Sequence, residues 1–540
     1  MKKNFLWIAI LAALTLVLGA CGFGGDSSKD DSSKEGKTLN LAIASEPPSL
    51  NPQLSTDTQS GSILNGLFEG LTRVDSNGKV ENAMAKDITV SEDKLTYTFT
   101  LRDAKWSNGD AVVAGDFEYA WKWALDPNNQ SQYSSILYPI KGAEAFNTGK
   151  GKVEEVGVEA TDDKTLVVTL TNPTPYFTEL TAFYTYMPVN EKVATNNKKW
   201  AAEAGKDYVT NGPYKLSEWK HNNAVTLKKE ANYWDKENVD VDTIKISMVE
   251  SSATANRMFK NGDIDFLGAP FQSVPLDAID AYKADKSLQI KDTAAVYLYK
   301  FNTTDKYMKN ANIRKALTLA IDRQGLIDNV LKAEQKPANG LVPTSVNGWD
   351  TQEKFFEDND VEEAKKALAT GLKELGLKDA KDLVINLSIN TDEAHAAIAQ
   401  YIQEGWNKNL GITTKIDNSE WQVFLDKMTS FDYQVGRMGW TGDYNDANTF
   451  LDMYTTAENG NNQTGWENPK YAKFMAQANA EKDADKRIEL LQSAEAVAMA
   501  EFPVAPIYNY TSLYVVKDGI ENIGPDLLGN VNLKAIKLSK

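Results

Sequence analysis

Cysteine occurs once in 540 residues, at Cys21, so no disulfide can form within the chain. A protein of this length buries enough apolar surface to be stable without one. Histidine occurs only at His221 and His395, far apart in sequence, which leaves no Ser-His or Cys-His nucleophile pair. The G-x-S-x-G and H-E-x-x-H patterns are missing. Gly149-Lys150-Gly151-Lys152 lacks both the spacing and the Ser/Thr of a phosphate-binding loop, and the acidic run from Asp443 to Asp446 does not follow the spacing of a calcium loop. Ser91-Glu92-Asp93-Lys94 fits S-x-x-K but precedes a strand instead of opening a helix. Neither a metal nor another cofactor is expected. Beyond the N-terminus no run reaches the ~18 apolar residues of a membrane span. Clusters of basic residues are missing too. The formal charge of −17 excludes nucleic acid as a natural partner and repels an anionic membrane surface.

What is present begins with a leader. Lys2 and Lys3 precede an apolar stretch from Phe5 to Leu18, too short to span a bilayer, which closes on Leu18-Gly19-Ala20-Cys21. The pattern resembles a bacterial lipobox: residues 1–20 would be removed and Cys21 would carry lipid as the new N-terminus. The alternative is an ordinary secretory signal with an incidental cysteine. Loss of Lys2 and Lys3 takes the charge to −19. Residues 22–37, rich in Gly, Ser, Asp and Lys, have almost nothing to bury and read as a flexible stalk with a reach of roughly 20 Å.

Strand and helix patterns then interleave. Leu95, Tyr97, Phe99 and Leu101 alternate with threonines as in a half-buried strand, and short β-rich runs recur at 38–43, 165–170, 243–249 and 383–389. Helical periodicity marks 312–331, 361–376, 395–411 and 485–501. The mixture predicts an α/β or α+β fold, without internal repeats and without a Pro/Ser-rich linker after residue 37.

Several stretches together resemble the OppA-like oligopeptide-binding proteins of ABC importers. They are FEGLTR at 68–73, LTYTFTLRDAKWSNGDAVVAGDFEYAWKWAL at 95–125, PTPYFTELTAFYTYMPVN at 173–190 and VTNGPYKLSEWK at 209–220. IRKALTLAIDRQ at 313–324, GRMGWTGDYNDA at 436–447 and PVAPIYNY at 503–510 complete the series. The resemblance implies an α/β, two-lobed periplasmic-binding-protein-like fold with mixed sheets and a third, inserted domain. Lobe one would comprise 38–72, 200–300 and 510–540, the extra domain 73–199, and lobe two 301–509. It further implies a monomeric receptor that encloses an oligopeptide and delivers it to membrane permease subunits.

Site residues follow from the same resemblance. Asp443 matches the carboxylate that takes the ligand's α-amino group; Gly439 and Thr441 match positions whose backbone pairs with the ligand as an added strand. Trp440 and Trp421 match walls of side-chain pockets. Arg437 and His395 match basic groups available to ligand carboxylates, with Arg437 suited to bidentate capture. Tyr508 and Tyr510 are both candidates for the cleft face. Without the resemblance these residues read as a turn with a self-capping Asp, a solvated helix-start His and core tryptophans. Other ligands stay open: a dipeptide, a cell-wall peptide, a peptide pheromone or, given 12 Trp and 22 Tyr, a sugar. A secreted hydrolase using only an Asp/Glu pair is the remaining alternative class.

Overall fold

The segment TYTFTL buries Tyr97, Phe99 and Leu101 and leaves Thr100 in water, the alternation of a strand with one face on a core. The computed structural model in which this is seen describes residues 36–75, 78–346, 348–349 and 354–539. The chain divides after Gly36, and the fold is that of Lys37–Lys540. The leader, Cys21 and the stalk as far as residue 35 lie outside the described residues.

Among the described residues, three larger sheets organise the fold. The first joins Thr38–Ile43, Thr243–Met248, Ala224–Lys229 and Tyr214–Lys220 in that order. It is mixed: its first pair is parallel and the other two are antiparallel. The second, wholly antiparallel, holds Ala85–Val90, Thr96–Leu101, Thr165–Thr169 and Val158–Asp162. The third is mixed and seven-stranded, with Val384–Asn390 parallel to both Thr413–Ser419 and Val435–Thr441. Its spine is a pair of thirteen-residue antiparallel strands, Gln289–Phe301 and Val504–Val516. At ~3.3 Å per residue each spans some 40 Å, long enough to run from one lobe into the other.

Burial follows the same division. One apolar cluster, including Leu39, Phe68, Phe99, Trp121 and Ile246, runs continuously through the first and second sheets. A second, including Tyr297, Leu317, Ile385, Trp406 and Ile507, fills the third sheet and its helices. Two lobes with a domain inserted into one of them is therefore the observed fold, as expected.

Helices form where caps and periodicity agree. Glu393–Leu410 opens on the Asp392 side chain, which accepts from the His395 backbone N–H at 2.9 Å, and closes on Gly411 at φ 71°. It buries Ile398, Ala399, Ile402, Trp406 and Leu410. The single helix predicted over 312–331 is broken into Ala311–Leu319, Arg323–Leu326 and a π-helical turn Ile327–Leu331. Arg323, fully buried, sits at the break. Its guanidinium donates to the Thr318 and Ile321 carbonyls, which an unbroken helix would have used, and to the Pro506 carbonyl, at 2.8–3.2 Å. Asp322 starts the next turn by accepting from Gly325 N–H at 2.9 Å. Among the described residues no helix is long and apolar enough to cross a membrane.

Candidate ligand-binding cleft

Strand Val435–Thr441 has two unlike edges. One pairs with Gln289–Phe301 along its whole length, from Phe301 opposite Val435 to Ala295 opposite Thr441. The other meets Val384–Asn390 only at Leu387–Val435 and Ser388–Gly436. From Arg437 to Thr441, among the described residues, no strand occupies that second edge, so its N–H and C=O groups offer a ladder to an extended backbone. Gly439 and Thr441 lie on this stretch.

Arg437 projects from the strand into a cluster of tyrosines. Its Nη2 donates to the Tyr510 hydroxyl at 2.9 Å and its Nη1 to Asn390 Oδ1 at 3.2 Å, while the guanidinium lies 4.9 Å from the centre of the Tyr297 ring. Tyr508 stacks on Tyr297 with ring centres 4.8 Å apart and packs beneath, whereas the Tyr510 hydroxyl reaches Arg437. Gly439 makes this reach feasible, because a Cβ there would stand 2.9 Å from the Tyr510 oxygen. Four buried polar atoms in this group have no hydrogen-bond partner: Arg437 Nε, Tyr297 OH, Tyr299 OH and His395 Nδ1. Folding alone does not explain polar atoms left unpaired at one place.

His395 sits in the first turn of helix Glu393–Leu410, its ring 5.6 Å from Tyr297. Burial and the nearby Arg437 push the imidazole down to about 3, and the attraction of Asp392 does not restore it. It is therefore neutral at physiological pH and offers hydrogen bonds, not the positive charge expected of a carboxylate partner. Trp421 begins helix Trp421–Thr429, stacks on Phe424 at 6.0 Å and faces the same space as His395.

Asp443 follows the other end of the strand, in a turn. Its backbone N–H donates to Thr449 Oγ1 at 3.1 Å; its carboxylate accepts from the Thr449 and Tyr133 hydroxyls at 3.2 and 3.4 Å. Among the described residues it has no Lys, Arg or His in an ion pair. Burial pushes its carboxyl up to about 7, with the two hydroxyls pulling the other way. An ionised carboxylate here lacks the cation that its burial calls for. The turn itself is well anchored: Asp446 receives both arms of Arg487, at 2.8 and 2.9 Å.

Aromatic groups from the inserted domain close over this end. Trp440 stacks on Tyr133 at 6.1 Å and donates from Nε1 to Thr449 at 3.3 Å; Tyr444 stacks on Tyr176 at 4.2 Å, nearly parallel. Glu179 accepts from Asn445 N–H at 3.0 Å. Tyr133, Tyr176, Tyr184, Glu179, Tyr297, Tyr299 and Asn390 were not singled out from the sequence. The Tyr-rich run 173–190 and the spacing of Tyr297 and Tyr299, two apart on a strand, were the available signals.

Two cavities mark the ends of the strand. One of about 490 Å³ lies at Asp443, walled by Phe68, Phe183, Tyr184 and Leu528. The other, of about 510 Å³, lies at His395 and Trp421, opposite Glu46, Asp57 and Glu250. The structure thus brings Arg437, Gly439, Tyr508, Tyr510 and His395 into one group and places Thr441, Trp440 and Asp443 at the far end. Trp421 stands across the His395 cavity. Among the described residues no three His, Cys, Asp or Glu side chains converge as a metal would require.

Two lobes on long crossing strands, with a walled cleft between them, define a receptor that encloses a solute. The description "bacterial extracellular solute-binding proteins, family 5 Middle" matches residues 79–462, and the chain belongs to that family. It is 52% identical to the oligopeptide-binding protein OppA of Bacillus subtilis over 97% of both chains. The structure of Listeria monocytogenes OppA bound to peptide superposes with a TM-score of 0.85 at 33% identity, covering 94% of this chain and all of that one. The murein tripeptide-binding protein MppA of Escherichia coli gives 0.86 at 28% identity, over 94% of this chain and 99% of that one. MppA in its unliganded open form gives 0.62, over 94% and 98%. The lobes here are therefore not arranged as in that open form. Members of the family bind solutes outside the cytoplasm, and the chain's extracytoplasmic place follows.

Proposed function

We propose that the protein is the oligopeptide receptor of an ABC importer, held at the outer face of the bacterial membrane by lipid on Cys21. It works as a monomer, captures a peptide between its lobes and passes it to the permease subunits without chemistry on the ligand. Lobe one is taken as 38–72, 200–300 and 510–540, the extra domain as 73–199 and lobe two as 301–509. The observation that carries the reading is Asp443: a largely desolvated carboxylate that, among the described residues, has no cation and stands next to an unoccupied strand edge. Every peptide offers what those two features need, an ammonium and a run of amides. In this reading the ammonium meets Asp443 and the backbone adds to Gly439 and Thr441. The carboxylate end approaches Arg437 and His395, with Tyr510 as the relay and Tyr508 as the floor. Trp440 and Trp421 bound side-chain pockets, where retained water lets side chains vary. The names of the relatives, peptide receptors over their whole length, support the same reading.

Native mass spectrometry of the protein purified from its own cells tests the ligand class. Adducts with peptide masses are expected, exchangeable for an added peptide pool. Hexose-spaced adducts, or none with any peptide, would contradict the reading. The anchor has its own test. Cys21→Ser removes the thiol that lipid requires and should release protein into the medium, whereas detergent-phase partitioning equal to wild type would contradict lipidation.

A further inference from the structure

At the His395 end a carboxylate bridges the lobes. Glu393 opens helix Glu393–Leu410 in the third sheet's lobe and reaches across the cleft to helix Ser252–Asn261, which follows a strand of the first sheet. Ser251 Oγ donates to Glu393 Oε1 at 2.9 Å, Ser252 Oγ donates to Oε2, and the Ala253 backbone N–H points at Oε2 from 3.3 Å. The carboxylate thus occupies the positive end of a ten-residue helix that belongs to the other lobe. Neither half depends on the other for folding. Ser251 already caps its own helix by accepting from Thr254 N–H at 3.3 Å, and the helix of Glu393 is capped by Asp392. When the lobes part, water replaces the contact on both sides. Such a contact costs little to break, and parting the two helices would break it.

We infer that Glu393 is a closure latch: a residue that touches no ligand but sets how much of the receptor is in the closed, ligand-holding state. The inference rests on the reading of the chain as a receptor that closes on its ligand. A protein whose binding-competent state is only partly populated shows an affinity reduced by that fraction, whatever the ligand. Removing the latch should therefore weaken every ligand by one common factor, while a residue that contacts ligand discriminates among ligands. The group is solvent-exposed, so the factor is modest, about fivefold.

The test compares wild type, Glu393→Ala, Ser252→Ala and the double variant. Titration with a panel of synthetic peptides of different length and side chains gives the affinities, and small-angle scattering without ligand gives the radius of gyration. Each single variant is expected to lose one factor common to every peptide, the double variant no more than Glu393→Ala alone, and the unliganded variants to be more expanded. Unchanged affinities, losses confined to certain peptides, or an unchanged radius would each overturn the latch. Wild type that binds none of the panel would instead contradict peptide capture, and the scattering comparison would still decide whether Glu393 holds the lobes together.

Discussion

Asp443 gives up most of its hydration and receives two hydroxyl donors in return, which leaves its carboxyl near 7 instead of the ordinary 3.8. The empty, closed protein therefore holds a proton there that the unfolded chain releases. Its stability rises as pH falls from about 7 to about 4, then levels off below the ordinary value. A ligand ammonium placed there, as proposed, has the opposite preference, since it would pair with the ionised form. Each pH unit below about 7 should weaken peptide binding by up to about tenfold, so between about pH 8 and 5.5 the loss approaches thirtyfold. Asp526 and Asp116 are also pushed up by burial, to about 6, and can tilt the profile. Asp443→Asn separates the contributions. It should bind poorly at both pH values with a nearly flat profile; a slope as steep as that of wild type would assign the pH dependence to other groups.

At the scale of elements, the proposed binding edge, Arg437 to Thr441, lacks a side chain at one point, Gly439. Gly439 has no positive φ, so any residue can adopt its backbone, and valine suits a strand. What valine cannot do is leave the Tyr510 hydroxyl where it stands, 2.9 Å from the new Cβ. Gly439→Val should melt within a few degrees of wild type yet lose roughly tenfold or more in peptide affinity, because Tyr510 is driven off Arg437. Wild-type affinity would show that the Tyr510–Arg437 contact is dispensable. Elements of this kind were legible in the sequence where the signal is local. The alternation at 95–101 became strand Thr96–Leu101, and the periodicities at 361–376, 395–411 and 485–501 became helices within a residue or two. The break inside 312–331 was not legible, since the acceptor that pulls Arg323 into the gap, Pro506 O, lies 183 residues away. The same limit governs the site. Asp443 and Arg437 stand in one quotable motif, but Tyr133 meets Asp443 across 310 residues and Tyr176 meets Asn448 across 272. No periodicity encodes such pairings.

For the whole molecule, the two ends of the cleft close by different means. At Asp443 the inserted domain presses aromatic rings on the turn, with Tyr176 on Tyr444 and Tyr133 on Trp440. At His395 the exposed Glu393 carboxylate bridges the lobes. If the ligand ammonium meets Asp443 as proposed, the cost of keeping that carboxylate in an empty, shut cleft is what the bound ammonium removes. In that reading ligand energy and lobe closure are coupled at one atom pair. Isothermal titration of wild type and Asp443→Ala, each with a free peptide and its N-acetylated form, measures that pair directly. Deleting either charge should cost about 2–5 kcal/mol. Combining the two should cost clearly less than the sum, because both remove one interaction. Full additivity, or equal affinity of wild type for free and acetylated peptide, would contradict the pairing of Asp443 with the ligand ammonium.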